Sequence, residues 1–94
     1  LWKHSSYNYL TEKSISEMTT PQKTKDGKTT NYGLGWSTRY DKNKNVLIGH
    51  TGGSVGGTTI AFMAPNSSAI VVMTTNLSSA SFGDLANDLF ELFE

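Results

Sequence analysis

The stretch Ile48-Gly49-His50-Thr51-Gly52-Gly53-Ser54-Val55-Gly56-Gly57 decides how this chain of 94 residues can fold. Five of its ten residues are glycine, and its polar side chains are those of His50, Thr51 and Ser54. Glycine allows positive φ and close approach to the main chain, but inside a strand it is destabilising unless that access is used. Because apolar segments flank the stretch, we expect either a sharp turn or a strand edge whose backbone N–H groups meet a ligand.

The segments before this stretch have the pattern of β-strands. Residues 32–40 alternate, with aromatic and apolar side chains mostly on one face and small or polar ones on the other. Residues 41–45 form a polar run of hairpin-turn length, and residues 46–48 resume as a strand that enters the glycines. The pattern therefore predicts that strands begin at Tyr32.

The segments after the stretch are also predicted to be strands. Residues 58–64 alternate, with Ile60 and Phe62 on one face and Ala61 and Met63 on the other. Residues 69–73 are apolar throughout, which is typical of a central strand covered on both faces.

Helices are predicted near both ends of the chain. Ser14-Ile15-Ser16-Glu17 has the spacing of a capping box and predicts a short helix through Met18, which Pro21 ends. Asp26-Gly27 predicts a tight turn in the polar segment that follows. Residues 81–94 have helical spacing, with Ser81 or Asp84 as the N-cap and an apolar stripe of Phe82, Leu85, Leu89 and Phe93, widened by Ala86, Phe90 and Leu92.

Together these elements predict an α+β fold in one segment, residues 1–94. A short helix and a polar loop occupy residues 1–31, and an antiparallel β-meander of about four strands occupies residues 32–76. A C-terminal helix over residues 81–94 packs on the sheet.

The charge is balanced overall but unevenly distributed along the chain. The formal net charge is zero, and residues 1–44 carry eight bases and four acids (+4) whereas residues 45–94 carry four acids and no Lys or Arg (−4). A basic arm for nucleic acid is one interpretation, but lysines interleaved with threonines and acids make a poor phosphate-binding stripe. We interpret this charge as a solvated loop whose lysines oppose an acidic helix, and we expect no nucleic-acid partner.

Several other classes of protein are disfavoured by composition. No apolar run is long enough to cross a bilayer, so no transmembrane segment is expected. With two distant histidines and no cysteine, a metal site is not expected. The chain has neither a P-loop nor a G-x-G-x-x-G motif, and no cofactor is expected.

Two features of the glycine-rich stretch suggest chemistry, and each has a structural alternative. His50 is either a polar group beside an acyl-transfer site or an ordinary histidine at a strand edge. Gly52-Gly53-Ser54-Val55-Gly56 matches G-x-S-x-G, the nucleophile elbow, which requires a strand before the serine and a helix after it. Because residues 58–64 alternate like a strand, we interpret this match as accidental.

An ordered set of motifs resembles the C-terminal part of serine β-lactamase-like proteins, which include class C β-lactamases, penicillin-binding proteins and related esterases and peptidases. The resemblance covers roughly residues 14–94. Its motifs are Glu17-Met18-Thr19-Thr20-Pro21, Tyr32-Gly33-Leu34-Gly35-Trp36, Gly49-His50-Thr51-Gly52-Gly53, Gly56-Gly57, Pro65 and Ile70-Val71-Val72-Met73-Thr74-Thr75-Asn76.

The resemblance implies roles for five residues. His50-Thr51-Gly52 corresponds to the Lys-Thr-Gly or His-Thr-Gly motif on the strand that lines the family's cleft. His50 would shape the hydrogen bonding around the nucleophile, and the Thr51 hydroxyl would bond a substrate carboxylate or carbonyl. The Gly53 N–H would supply half of an oxyanion hole, and Gly52 and Ser54 would lie along the bound substrate.

The family's other two motifs, Ser-x-x-Lys and Tyr-x-Asn, do not occur in the chain. Without an activated nucleophile there is no acyl-enzyme. We therefore expect an inactive C-terminal segment of a larger hydrolase, whose partner is the missing N-terminal part or a second copy in a dimer or swapped assembly. A non-catalytic binding or self-assembly module is the alternative. The resemblance also implies small-molecule or peptide substrates and a periplasmic or secreted location.

Overall fold

The computed structural model describes residues 9–93, and the chain divides into two compact units, residues 1–38 and 39–94. The strands form a single antiparallel sheet in the order β1-β2-β3-β4. This confirms the predicted α+β class. The elements are α1 (Glu12–Thr19), β1 (Ser37–Tyr40), β2 (Val46–Ser54), β3 (Gly57–Ala64), β4 (Ala69–Thr75) and α2 (Gly83–Glu91).

The N-cap of helix α1 lies three residues before Ser14, the N-cap predicted from the capping box. Thr11 is the N-cap, and its hydroxyl oxygen accepts a hydrogen bond from the Ser14 N–H at 3.1 Å. Ser14 therefore lies within the first turn and does not cap the helix. The helix ends at Thr19, and Thr20 is extended with ψ of 122°. That conformation is the one that a following proline favours, as predicted from Pro21.

The predicted tight turn at Asp26-Gly27 is confirmed. Gly27 has a φ of 85°, and its N–H donates to the Thr24 carbonyl at 2.9 Å. The Thr24 hydroxyl donates to the Asp26 carboxylate and, with a smaller contribution from the Lys28 N–H, lowers the pKa of Asp26. The turn is thus held by local backbone and side-chain bonds.

The strand predicted from Tyr32 begins only at Ser37. The Leu34 N–H donates to the Met18 carbonyl at 2.8 Å, so this backbone is bonded to the end of α1. A Cβ on Gly33 would lie 2.3 Å from the same carbonyl oxygen. Because Gly33 and Leu34 lie against the end of α1, they do not pair in the sheet. The alternation of residue types alone therefore predicted the start of β1 wrongly.

The alternation predicted for β3 is confirmed by burial. Ile60 and Phe62 are 2% and 3% exposed, whereas Ala61 between them is exposed. Register then places the core on one face of the sheet, because residues directly opposite in an antiparallel pair share a face. The core comprises Leu47, Ile60, Phe62, Ala64 and Val71 from the sheet with Ala86 and Phe90 from α2.

Strand β4 lies at the edge of the sheet, and the prediction of a central strand covered on both faces is wrong. Val71 is buried in the core, whereas Ile70 and Val72 are 43% and 67% exposed. In register, Ile70 lies beside Met63 and Val72 beside Ala61 on the face away from α2. Within the described chain, β4 is therefore apolar on both faces but covered on only one.

Helix α2 begins at Gly83, and the N-cap Phe82 makes no side-chain capping bond. Neither Ser81 nor Asp84 caps the helix, so both predicted caps are wrong. The helix packs against β4 through Ala86 and Phe90, with Phe82 and Leu89 partly buried. The predicted apolar stripe only partly coincides with this buried face, because two of its members, Leu85 and Phe93, are 52% and 69% exposed.

The predicted turn at residues 41–45 is confirmed, and Asp41 holds it. Asp41 is 6% exposed, and its Oδ1 accepts hydrogen bonds from the N–H groups of Asn43 and Asn45 at 2.8 and 2.9 Å. Its Oδ2 accepts a third bond from Asn45 Nδ2 at 3.1 Å. The buried carboxylate thus satisfies the donors of the turn.

Lys42, in the same turn, connects it to α2. Its Nζ lies 3.4 Å from the Asp88 carboxylate and 3.8 Å from that of Glu91. The carboxylates of Glu91 and Asp88 raise the pKa of Lys42. This contact agrees with the interpretation that a basic loop opposes an acidic helix. No helix among the described residues is long and apolar enough to cross a membrane.

Candidate functional site: the glycine-rich end of β2

The glycine-rich stretch forms the end of β2, a two-residue turn and the start of β3. The two strands pair from Ile48 opposite Met63 to Ser54 opposite Gly57, and Val55-Gly56 connects them. Gly56 has a φ of 82°, a conformation that few other residues adopt. The stretch is therefore both a strand and a sharp turn.

Gly49 allows β3 to approach β2 more closely than any side chain would permit. A Cβ at Gly49 would lie 1.9 Å from the Ala61 carbonyl oxygen and 2.7 Å from Phe62 Cγ. The buried Phe62 ring in turn carries the guanidinium of Arg39, whose Cζ is 4.7 Å from the ring centroid. Because Gly49 has no side chain, the Phe62 ring and the Arg39 guanidinium can lie beside β2.

His50 and Thr51 lie on opposite faces of the sheet, because successive strand residues alternate. Thr51 is opposite the buried Ile60, on the face that carries the core, and His50 is opposite the exposed Ala61 on the other face. Both residues are exposed, and His50 Nδ1 contacts the Thr51 carbonyl oxygen. Neither side chain lies in a packed interior, and the two flank the strand from different sides.

The backbone of this segment presents donors on the side away from β3. The two-residue turn makes Ser54 and Gly57 a hydrogen-bonded pair, so Gly53 and, two residues earlier, Thr51 belong to non-hydrogen-bonded pairs. Their N–H and C=O groups are therefore directed away from β3.

Strand β1 leaves that side of β2 partly unmatched. β1 has four residues and β2 has nine, so at least five residues of β2 (9 − 4) have no β1 residue opposite them. Because the turn at residues 41–45 joins the two strands as a hairpin, the unmatched residues are at the glycine-rich end. This edge is the one toward which the Thr51 and Gly53 amides point.

A cavity of about 380 Å³ adjoins the same end of β2, and a second of about 350 Å³ adjoins the turn. Thr51 and Gly52 line the first, Ser54 lines the second and Gly53 lines both, whereas His50 is not among the residues lining either. The first cavity is lined by Arg39, Thr51, Gly52, Gly53, Thr58, Thr59, Ile60, Ala80, Ser81 and Phe82.

Ser54 does not lie on a nucleophile elbow. That motif places the serine between a strand and a helix, whereas here β3 follows the serine after two residues. The Gly56 N–H after it donates to Ser78 Oγ at 2.8 Å, within a hairpin turn. The structural context thus agrees with an accidental match.

Arg39, Thr58 and Ser81 also line the first cavity, and none of them was predicted from the sequence as a site residue. Thr58 Oγ1 donates to the Leu77 carbonyl at 2.8 Å and accepts from the Ala80 N–H at 3.2 Å, which fixes the segment before α2 onto β3. The sequence did contain a signal for Arg39, because none of the other residues in the four strands is Lys, Arg, Asp or Glu. Among residues 9–93, no three His, Cys, Asp or Glu side chains lie together as a metal site.

Comparison with known proteins places this sequence in a family. The family model for Beta-lactamase matches residues 8–92, which is 85 of the 94 residues (92 − 8 + 1). The chain belongs to the beta-lactamase family, and its antiparallel sheet with helices is consistent with a beta-lactamase-like fragment. Comparisons with curated proteins and with solved structures gave no match.

Proposed function

We propose that the chain is the C-terminal portion of a β-lactamase-like serine hydrolase and supplies one wall of its acyl-transfer cleft. The observation that carries this proposal is the edge of β2, where the Thr51 and Gly53 amides are directed away from β3 and β1 leaves residues unmatched. Fixed backbone donors aimed at a developing oxyanion are usually the largest single contribution to acyl-transfer rates.

Each residue of the wall has a distinct role in the proposal. The Gly53 N–H is half of the oxyanion hole, and the Thr51 hydroxyl bonds a polar group of the substrate. His50 acts on the opposite face of the strand, where it shapes the hydrogen bonding around the nucleophile. Gly52 and Ser54 lie along the substrate and leave room for it, because both are exposed.

The nucleophile of this reaction lies outside the chain, because the chain has no Ser-x-x-Lys motif. Isolated, it forms no acyl-enzyme and is inactive. Substrates are esters, D-amino peptides or β-lactams, and a histidine at the position of the motif's lysine favours the first two.

The proposal is tested by adding the N-terminal portion of the parent hydrolase to this chain and measuring p-nitrophenyl acetate and nitrocefin turnover. Restored turnover is expected. Thr51→Ala should lower kcat/KM by about 10- to 100-fold, the equivalent of about 1.5–3 kcal/mol for a hydrogen bond to a charged group. His50→Ala should also lower it, whereas Thr74→Ala, an exposed threonine on β4, should not.

Besides a failure to restore turnover, two results would contradict the proposal. One is turnover by the isolated chain that Ser54→Ala abolishes, since this would make Ser54 an independent nucleophile. The other is restored turnover that neither His50→Ala nor Thr51→Ala reduces.

The absence of Ser-x-x-Lys also supports the second candidate, a non-catalytic β-lactamase-like binding or self-assembly module. Failure to restore turnover with the N-terminal portion would favour that module.

A further inference from the structure

We propose that the segment between β4 and α2, residues 76–81, is a strap that opens as one unit and that the hydroxyls of Thr58 and Ser78 hold closed. The strap joins Thr75, the last residue of β4, to Phe82, the N-cap of α2. Its opening would change access to the β2–β3 turn while the sheet and α2 stay folded.

The hydroxyl of Thr58 attaches the middle of the strap to β3. Thr58 Oγ1 donates to the Leu77 carbonyl oxygen at 2.8 Å and accepts from the Ala80 N–H at 3.2 Å. These two backbone groups have the i and i+3 positions that a direct hydrogen bond often joins in a β-turn. Because the Thr58 hydroxyl bonds both of them, the conformation of the strap depends on this one side chain.

A second hydrogen bond attaches the strap to the β2–β3 turn. The Gly56 N–H donates to Ser78 Oγ at 2.8 Å. Ser78 lies in the chain between Leu77 and Ala80, so both attachments act on the same short turn of backbone. Interactions that share a backbone segment are not independent. Release of either attachment should therefore weaken the other.

Apolar burial contributes little to holding the strap. Residues 76–79 are exposed, and the side chain of Leu77 is 64% exposed. Ser79 has a φ of 58°, a left-handed conformation that a residue other than glycine keeps only where its surroundings impose it. Segments with exposed hydrogen bonds and few buried contacts open at low free-energy cost. At either end of the strap, by contrast, β4 pairs with β3 and Phe82 packs against the core.

The strap lines both cavities at this end of the sheet. Ser78 and Ser79 line the cavity of about 350 Å³, and Ala80 and Ser81 line that of about 380 Å³. Opening of the strap would remove these walls and widen both cavities. Where it concerns catalysis, the inference rests on the proposed function, and Thr58 is then a positioning residue. The motion itself needs no substrate, so the isolated chain tests it.

The experiment measures amide hydrogen exchange in the ¹⁵N-labelled chain by water-saturation-transfer NMR. Thr58→Val keeps the shape of the side chain and removes its hydroxyl. It should speed exchange of the Gly56 amide by about 2- to 10-fold, the effect of losing one hydrogen bond, although Gly56 bonds Ser78 and not Thr58. Ser78→Ala should likewise speed exchange of the Ala80 amide, which bonds Thr58. Two independent local bonds would not produce these cross-effects.

Two matched variants serve as controls. Thr58→Ser retains the hydroxyl and should exchange at nearly the wild-type rate at both amides. Thr59→Val removes the neighbouring hydroxyl of β3, which contacts the Gly52 carbonyl oxygen at 3.5 Å, and should leave both amides unchanged. The amides of Ile60 and Phe62 report on the sheet itself and should keep their exchange rates in all variants.

Faster exchange only at the amide whose own bond is removed would overturn the inference, as would equal acceleration at Ile60 and Phe62. If Thr58→Val loses its dispersed spectrum, Ser78→Ala still decides, because Ser78 is exposed and lies outside the sheet. Coupled exchange without restorable turnover would leave the strap standing and contradict the proposed function alone. Restored turnover with uncoupled exchange would overturn the strap alone.

Discussion

Gly49 is the position where the absence of a side chain matters most to the sheet. A Cβ there would overlap the backbone of β3, with the Ala61 carbonyl oxygen at 1.9 Å and Phe62 Cα at 2.6 Å. Backbone atoms in a paired strand cannot move aside without breaking the ladder. Gly49→Ala should therefore lower the free energy of unfolding by about 1–3 kcal/mol or more, as measured by urea denaturation.

Gly53→Ala is the control for this prediction, because its Cβ would be no closer than 4.0 Å to any neighbouring atom and its φ is not positive. Its free energy of unfolding should change by about 0.5 kcal/mol or less, as for surface substitutions generally. Equal losses in the free energy of unfolding would show that replacing any glycine of β2 is destabilising, and that the contact of Gly49 with β3 is not the cause.

Phe90 is the residue on which the packing of α2 depends. It is 0% exposed and belongs to the core formed by α2 and the sheet. Phe90→Ala should lower the free energy of unfolding by about 3–5 kcal/mol because it leaves a cavity. Leu92→Ala, at a position 75% exposed near the same helix end, should change it by about 0.5 kcal/mol or less. Similar losses for both would place the other face of α2 in the core.

At the level of elements, Lys42 connects the turn at residues 41–45 to α2, and pH should reveal this contact. Glu91 and Asp88 raise the pKa of Lys42 above its ordinary value of 10.5. A raised pKa in the folded state means that the contact stabilises fully below the unfolded pKa and is lost as pH rises through the folded one. Lys42→Gln should thus lower Tm at pH 7, and the difference should disappear as the pH rises above 10.5 and passes through the folded-state pKa of Lys42.

The control for this titration is Lys44→Gln, which removes a base of the same turn that contacts no acid among the described ion pairs. Its Tm difference from the wild type should be small at both pH values. A Lys42→Gln difference that persists undiminished at high pH would mean that the side chain acts through packing and not through its charge.

Elements whose stability is local could be predicted from the sequence. The turns at Asp26-Gly27 and at residues 41–45, and the burial of Ile60 and Phe62, follow from turn chemistry and alternation. The start of β1 could not be predicted, because it is set by the approach of Gly33 to the end of α1. The edge position of β4 could not be either, because an apolar strand has the same sequence whether or not a second layer covers it.

The residues of the candidate site remain a prediction from the sequence, and their geometry could not be predicted from it. The sequence marked the glycine-rich stretch and His50 to Ser54 as candidates. It could not show that the fold brings Arg39 to the same cavity, because this depends on strand pairing and on the Phe62 ring.

At the scale of the whole molecule, the exposed apolar side chains predict self-association of the isolated chain. Among the described residues, Ile70 and Val72 are exposed on the face of β4 away from α2, and an edge strand without charges is prone to pair with another chain. Sedimentation velocity should show a weight-average mass that rises with concentration. Val72→Lys should suppress this rise without changing the circular dichroism spectrum.

Val55→Lys is the matched control, because Val55 is fully exposed at the tip of the β2–β3 turn and away from the β4 edge. It should associate as the wild type does. A chain that stays monomeric at all concentrations, or a Val72→Lys variant that associates equally, would contradict a role for β4 in association.

The burial of Leu47 determines on which side of the sheet each member of the His-Thr-Gly motif is displayed. Leu47 is 2% exposed and lies in the core, and side chains alternate between the two faces of a strand. Thr51, four residues after Leu47, is therefore on the core face, and His50, three residues after it, is on the opposite face. The motif therefore depends on its even or odd spacing from Leu47 as well as on its residue types. Inserting one residue between Leu47 and His50 would exchange imidazole and hydroxyl between the two sides while leaving every letter of the motif intact.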